Sequence, residues 1–148
     1  MNDLESKIKS IANNVLSINQ RIVNVSSNIG TGYVRIVLDG DKNISLRDTT
    51  KMTKLLKKST DFTNLFPKGY RLEVTSPGLD SPLVFPFQFK KHIGRKINIT
   101  LKNKFDNSNV EAIINNASES YLFLVINKEG HKIEYKSIVV AKLKILFN

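Results

Sequence analysis

The chain is 148 residues long and carries a formal net charge of +10, from 23 basic and 13 acidic residues. Hydrophobic residues make up 41% of it, which excludes a disordered protein, and the absence of cysteine excludes disulfides and thiolate metal sites. No stretch approaches the roughly 18 apolar residues of a membrane span, and the polar amino terminus lacks the apolar segment of a signal peptide. We therefore expect a cytoplasmic protein whose basic excess favours nucleic acid or another acidic surface as its partner, with general lysine enrichment as the alternative explanation.

The first residues predict a capped helix followed by a hairpin. Asn2 or Asp3 can cap a helix whose apolar side chains fall on one face. These side chains are Leu4, Ile8, Ile11, Ala12 and Val15. Alternation over residues 21–26 and 33–38 predicts two strands, joined through a flexible turn at residues 30–32.

A second helix and a third strand complete the order α-β-β-α-β. Ser45 and Asp48 have the spacing of a capping box, so a helix is predicted to run to about Ser59. We expect an apolar inner face and a lysine-rich outer face that is ordinary solvated surface. The inner residues are Leu46, Met52, Leu55 and Leu56; the outer ones are Lys51, Lys54, Lys57 and Lys58. Residues 60–69 are predicted to form a loop whose aromatic side chains cover the core, before a strand at residues 70–75.

The rest of the chain predicts one short helical turn and then strands. Pro86 is tolerated only in the first turn of a helix, so residues 84–92 are predicted to form a single turn that packs phenylalanines. Turn residues then separate five short apolar segments, and five short strands favour a small closed barrel. The predicted strands cover residues 95–102, 110–114, 121–126, 131–135 and 138–147, with a turn at 106–109 and another at 127–130.

A rigid turn is predicted between the two halves. Pro77 fixes φ and Gly78 can adopt φ > 0, so the pair suits the central positions of a type II turn. Pro82 then keeps Ser81 extended. Such a junction either fixes the angle between two domains or presents its own polar groups to a partner.

The stretch from Leu72 to Leu83 reads Leu-Glu-Val-Thr-Ser-Pro-Gly-Leu-Asp-Ser-Pro-Leu and resembles a family signature. It is similar to Leu-Glu-Val-Ser-Ser-Pro-Gly-Leu-Asp-Arg-Pro-Leu of the bacterial ribosome maturation factor RimP family. Thr75 keeps the hydroxyl of the family serine, whereas Ser81 removes the positive charge of the family arginine. The signature residues at the junction are Ser76, Pro77, Gly78, Leu79, Asp80 and Pro82.

The resemblance implies both architecture and function. It implies an α+β amino-terminal domain over residues 1–80, a junction over 81–93 and an SH3-like β-barrel over 94–148. It also implies a non-enzymatic assembly factor that binds the free, immature small (30S) ribosomal subunit, through 16S rRNA and the ribosomal protein of the decoding region. We expect a monomer with no small-molecule substrate.

Two groups of cations are candidates for contact with RNA. The first lies just beyond the junction and consists of Lys90, Lys91, His92, Arg95 and Lys96. The second, weaker group consists of Lys102, Lys104, Lys142 and Lys144. Cations that neutralise phosphates position a protein without reading base sequence, which suits recognition of folded RNA by shape. A merely solvated basic face is the alternative.

The sequence predicts no catalytic, metal or cofactor site. The two histidines, His92 and His131, lack metal-ligand spacing, and Ser76 lacks the pattern of a nucleophile elbow. Glu73 is expected to pair with Arg71 or a lysine, while Asp80 either hydrogen-bonds the backbone of the turn or contacts a partner. The rival hypotheses are an SH3-like protein–protein adaptor and a small enzyme with a site at the junction.

Overall fold

The computed structural model describes residues 1–102 and 107–145, with only the backbone of residues 107 and 108. It contains two compact units, Met1–Pro77 and Gly78–Asn148, called here the first and the second unit. Within the described ranges, none of the helices has the length and apolar character needed to cross a membrane.

The first unit is a three-stranded sheet with helices. Its elements are α1 (Asp3–Asn13), β1 (Gln20–Asn28), β2 (Tyr33–Gly40), α2 (Leu46–Lys57), α3 (Thr60–Thr63) and β3 (Arg71–Thr75). The predicted hairpin is confirmed, because β1 and β2 pair antiparallel. Strand β3 lies parallel to β2 and gives the order β1-β2-β3. A parallel pair needs a crossover connection, which α2 and α3 supply.

Both long helices begin at capping boxes, which the sequence predicts for α2, whereas for α1 it predicts only a cap at Asn2 or Asp3. Asn2 accepts a hydrogen bond from the backbone N–H of Glu5 at 2.8 Å, and the Glu5 carboxylate accepts one from the Asn2 N–H at 3.2 Å. Ser45 and Asp48 make the same reciprocal pair at the start of α2, at 3.2 and 2.8 Å. Hydrogen bonds from the backbone and side chain of Ser45 hold the pKa of the Asp48 carboxyl below its ordinary value.

The predicted inner face of α2 is only partly correct. Met52 and Leu56 are buried as expected, but Leu46 is 82% exposed and Leu55 is 36% exposed. At 100° per residue the buried residues Thr49, Met52 and Leu56 lie within about 60° of one another, whereas Leu46 and Leu55 lie about 90° to either side. The helix therefore buries a narrower stripe than its leucines suggest.

The aromatic residues after α2 close the first core. Residues 60–63 form a helical turn instead of a loop, and Phe62 is fully buried. Its ring lies 5.5 Å from that of Phe66 and 5.0 Å from that of Tyr70, in tilted and edge-on arrangements that aromatic pairs prefer. The prediction that these aromatics cover the core is confirmed.

The described residues of the second unit form one short helix, five antiparallel strands and a 3-10 turn. They are α4 (Pro86–Lys90), β4 (Lys96–Lys102), β5 (Asn107–Ala117), β6 (Tyr121–Ile126), β7 (Glu129–Glu134), a 3-10 turn (Tyr135–Ser137) and β8 (Ile138–Leu143). The strand order is β7-β6-β5-β4-β8. Residues 103–106 and 146–148 lie outside the described residues, and with them Lys104, the start of the predicted turn at 106–109 and the end of the predicted last strand.

The sheet of the second unit is curled but not closed. In the described part of the chain no ladder joins β7 to β8, so the closed, SH3-like barrel predicted from the sequence is not observed. Glu134 and Ile138 can be at most about 14 Å apart along the chain, because each residue spans no more than about 3.6 Å. A flat sheet would separate the first and fifth strands by about 19 Å, so the sheet must curl.

The second core fills the inside of this curl. Phe89 of α4 is fully buried, together with alternate residues of the strands such as Ile97, Ile99, Leu122 and Leu124. The residues of β4 that alternate with the buried ones, such as Lys96 and Asn98, are exposed and polar and form the outer surface of this strand. That outer surface carries several of the candidate cations.

Candidate nucleic-acid interface

The signature forms a turn two residues later than predicted. The backbone N–H of Ser81 donates to the carbonyl of Gly78 at 3.0 Å, so the turn spans residues 78–81. Gly78 is absent from the residues with positive φ, and the predicted type II turn centred on Pro77 and Gly78 is therefore wrong. The physical reason is that the Gly78 carbonyl, not that of Ser76, accepts the turn hydrogen bond, which puts Leu79 and Asp80 at its centre.

The tip of this turn faces solvent. Leu79 is 79% exposed, and Gly78, Asp80 and Pro82 are exposed as well, while Ser76 and Pro77 are half-buried. No hydrogen bond to the Asp80 carboxylate is present among the described residues. The exposed Leu79 side chain therefore contributes little to the core of the second unit.

The exit of the turn is firmly attached to the second unit. The Leu83 N–H donates to the carbonyl of Ala141 in β8 at 2.7 Å. The amide oxygen of Gln88, itself buried, accepts the N–H groups of Val84 and Phe85 at 2.8 and 3.0 Å and so caps α4. These bonds position the chain that leads into the first cation group.

Three residues of the first cation group, Lys91, His92 and Arg95, lie between α4 and β4, and Lys90 is the last residue of α4. Lys91 caps the helix, and the Arg95 N–H donates to the carbonyl of His92 at 3.0 Å, which makes a second turn. Gly94 supplies the positive φ of 91° that this turn requires. Lys90 and Arg95 are exposed, and Lys91 and His92 are half-buried.

Lys96 follows that turn as the first residue of β4. It is connected to Lys144 of the second cation group through the carboxylate of Glu111. Its ammonium is 3.8 Å from one carboxylate oxygen of Glu111 in β5, and the Lys144 ammonium is 2.7 Å from the other. Lys142 is exposed on β8 and pairs across the ladder with Asn98 of β4. Lys102 is exposed at the end of β4. Only Lys96 of the first group is thus shown to share a face of the sheet with Lys142 and Lys144 of the second.

Two arrangements were missed by sequence reasoning because they depend on strand pairing. The first is the contact of the Glu111 carboxylate with both Lys96 and Lys144. The other lies on the first unit, where Tyr33 donates its hydroxyl to Glu73, and the Arg35 guanidinium lies 3.7 Å from the same carboxylate. Arg71, the expected partner of Glu73, instead lies over the Tyr33 ring at 5.4 Å. The hydrogen bond to Glu73 raises the pKa of Tyr33.

The described residues contain no cluster of three or more carboxylate, histidine or cysteine side chains that could hold a metal ion. What they do contain is a set of exposed cations on one unit and an exposed turn beside them in sequence. The fold and these surfaces define a basic binding protein in which an α/β unit precedes a curled antiparallel sheet.

Comparison with known proteins narrows this class. Residues 11–80 match the family described as the RimP N-terminal domain. The chain is 30% identical to the Ribosome maturation factor RimP of Christiangramia forsetii, over 97% of this chain and 99% of that protein. The chain therefore belongs to the RimP family of ribosome maturation factors, as the signature predicts. This relationship supports a role in ribosome maturation and does not favour the adaptor hypothesis.

Proposed function

We propose that the protein assists late assembly of the small ribosomal subunit by binding the free, immature subunit in the cytoplasm, without catalysing a reaction. The observation that carries this proposal is the relationship to a ribosome maturation factor along nearly the whole chain. Similarity over one short motif alone would support this function much more weakly, because the same binding modules recur in proteins of unrelated function.

The charge of the second unit supports RNA as part of the contact. Lys90, Lys91 and Arg95 project from two successive turns that the buried Phe89 anchors. Each cation that neutralises a phosphate releases counterions and therefore steepens the dependence of binding on salt. Contacts of this kind fix the position of a protein on folded RNA.

The signature turn supports a second kind of contact. Leu79 and Asp80 are exposed at its tip, where an apolar side chain and a carboxylate suit a protein surface better than a phosphate chain. We propose that the turn contacts the ribosomal protein of the decoding region while the cations contact 16S rRNA. Ser81 carries no charge, so this chain makes no ionic contact at the position of the family arginine.

Assistance without catalysis requires a difference in affinity. A bound factor shifts a conformational equilibrium only by the ratio of its affinities for the two states. We propose that the protein binds an assembly intermediate more tightly than the finished subunit, which favours the intermediate that leads to correct assembly and permits release afterwards.

The test is co-sedimentation with purified free small subunits and, separately, with assembled ribosomes, over a series of salt concentrations. We expect salt-sensitive binding to free subunits and weak binding to assembled ribosomes. Equal binding to both would refute selective recognition of the free subunit. Absence of binding to either by the folded protein would refute the proposed function.

A further inference from the structure

Glu111 is the one acidic residue on the described outer surface of β4, β5 and β8, and it lies between two lysines. Asn98 of β4 is paired with Glu111 on one side and with Lys142 on the other. The Glu111 carboxylate bridges Lys96 and Lys144 from opposite oxygens, at 3.8 and 2.7 Å. Two cations therefore contact one carboxylate on this face, and Lys142 lies on the other side of Asn98.

The bridge is open to solvent. The side chains of Lys96, Glu111 and Lys144 are 52%, 45% and 37% exposed, so an ion from solution can reach all three. Hydrogen bonding and attraction from Lys144, and then the charge of Lys96, hold the pKa of Glu111 below its ordinary value. The carboxylate is thus ionised at neutral pH and neutralises part of the charge that Lys96 and Lys144 could offer to another anion.

The bridging geometry is also a template for a phosphate. A phosphate has several oxygens that accept hydrogen bonds from two ammonium groups, as the two oxygens of Glu111 do here. The outward residue of β4 next to these cations is Asn98, and Thr100 follows it on the same strand; both are polar. A polar floor suits the sugar-phosphate backbone of RNA better than an acidic protein segment, which would bring apolar side chains with it.

We propose that Lys96, Lys142 and Lys144 form a phosphate-binding surface on the second unit, and that Glu111 competes with RNA phosphate for Lys96 and Lys144. Glu111 thereby limits the affinity of the surface and keeps binding readily reversible. This inference rests on the proposed function, because it supposes that the protein meets RNA. It assigns a role to a residue that neither charge nor family resemblance singles out.

The decisive variant is Glu111→Gln, which keeps the shape of the side chain but removes its charge. The matched control is Glu129→Gln, which loses the same charge on β7, at the far end of the strand order. Affinity is measured for purified free small subunits and for a short RNA duplex at several salt concentrations. We expect Glu111→Gln to bind both probes about two- to fivefold more tightly than Glu129→Gln does, the range for loss of one exposed competing ion pair.

A second substitution tests the route of the effect. Adding Lys144→Ala to Glu111→Gln removes the lysine that the glutamate no longer occupies, so the gain in affinity should disappear. Equal affinities of the two glutamine variants would overturn the inference while leaving the proposed function intact. Weaker binding by Glu111→Gln would also overturn it, because Glu111 would then organise the lysines for binding.

The remaining outcomes are also informative. If the wild-type chain bound neither subunits nor duplex, the proposed function and this inference would fall together. If Glu111→Gln bound a poly-glutamate peptide more tightly but the RNA duplex no better, the surface would be assigned to an acidic protein and the claim for phosphate would be refuted.

Discussion

The cations at the end of α4 and in the turn that follows it permit a quantitative test of contact with RNA. We consider the triple substitution of Lys90, Lys91 and Arg95 by glutamine, which removes three charges but keeps part of each aliphatic stem. The half-buried stem of Lys91 is the reason for choosing glutamine over alanine. The pairing of Lys96 with Glu111 is the reason for leaving Lys96 unchanged.

The expected magnitude follows from counterion release. Each lost phosphate contact flattens the slope of log affinity against log salt by about 0.7 for single-stranded and about 0.9 for duplex nucleic acid. Three contacts therefore flatten the slope by roughly 2 to 3. Between about 50 and 200 mM salt, the wild-type affinity should fall about 20- to 40-fold more than that of the variant.

The assay is a salt titration of binding to free small subunits. The control is the triple glutamine variant of Lys54, Lys57 and Lys58, which removes the same charge from the exposed face of α2 in the first unit. Thermal unfolding of both variants verifies that they remain folded. An unchanged slope for the first variant would refute the assignment of phosphate contacts to this turn. Equal flattening by the control would show that net charge, and not this surface, sets the salt dependence.

Three features of the first unit give further measurable effects. Gly32→Ala places a Cβ 2.8 Å from the carbonyl oxygen of Gly69. The control Gly69→Ala is also at positive φ, but its Cβ meets no atom within 4 Å. Denaturant unfolding should therefore show Gly32→Ala to be about 1–3 kcal/mol less stable than Gly69→Ala. The pKa of Asp48 is lower in the folded protein than its ordinary value, so the ionised carboxylate stabilises the fold at pH values above the ordinary pKa. This stabilisation is lost as the pH falls through the lowered pKa. Asp48→Asn should therefore weaken the dependence of the melting temperature on acid. Glu73→Gln removes the negative charge of the group that accepts the Tyr33 hydrogen bond, and this should lower the pKa of Tyr33 in an ultraviolet titration of the phenols.

Each of these expectations has a clear contrary result. Equal stability of the two alanine variants would mean that the first unit relaxes around the new Cβ at no cost. An identical acid response in Asp48→Asn would mean that the capping box does not control unfolding at low pH. An unchanged phenol titration in Glu73→Gln, with Tyr33→Phe used to assign the transition, would contradict the hydrogen bond.

Local signals explain why much of the fold could be predicted. The caps at Asn2 and Ser45 depend on residues three positions apart, and the strands depend on alternation within a few residues. These interactions are complete within one element, so neighbouring residues determine them. The same holds for the family signature, which lies in a single continuous stretch.

The predictions that were wrong concern features that depend on tertiary packing. Leu46 and Leu55 are leucines in a capped helix, but only the position of the sheet decides which 100° of the helix is buried. The turn-forming residues around Gly78 suit either a turn over residues 76–79 or one over residues 78–81. The sequence does not show which of the two turn hydrogen bonds forms. Curling of the second sheet and the absence of a β7–β8 ladder likewise depend on the whole unit.

Long-range pairing explains the missed part of the candidate site. Glu111 and Lys144 are 33 residues apart, and only the pairing of β4 with both β5 and β8 brings them together. In the sequence, Glu111 is a single acid in a predicted strand of ordinary composition. The cations could be counted from composition, but the carboxylate that joins them could not be found without the register.

The strand order of the second unit has a consequence for how the chain folds as it is made. All strands of the first unit are complete at Thr75, so that unit can fold while later residues are still being translated. Strand β4 pairs with both β5 and β8, and it keeps one edge unpaired until residues 138–143 have been synthesised. At about 5 to 20 residues per second, synthesis from the end of β4 to the end of β8 takes roughly 2 to 8 seconds. During that interval the exposed edge of β4 and the uncovered Ile97 and Ile99 are the part of the nascent chain most exposed to aggregation and most dependent on chaperones.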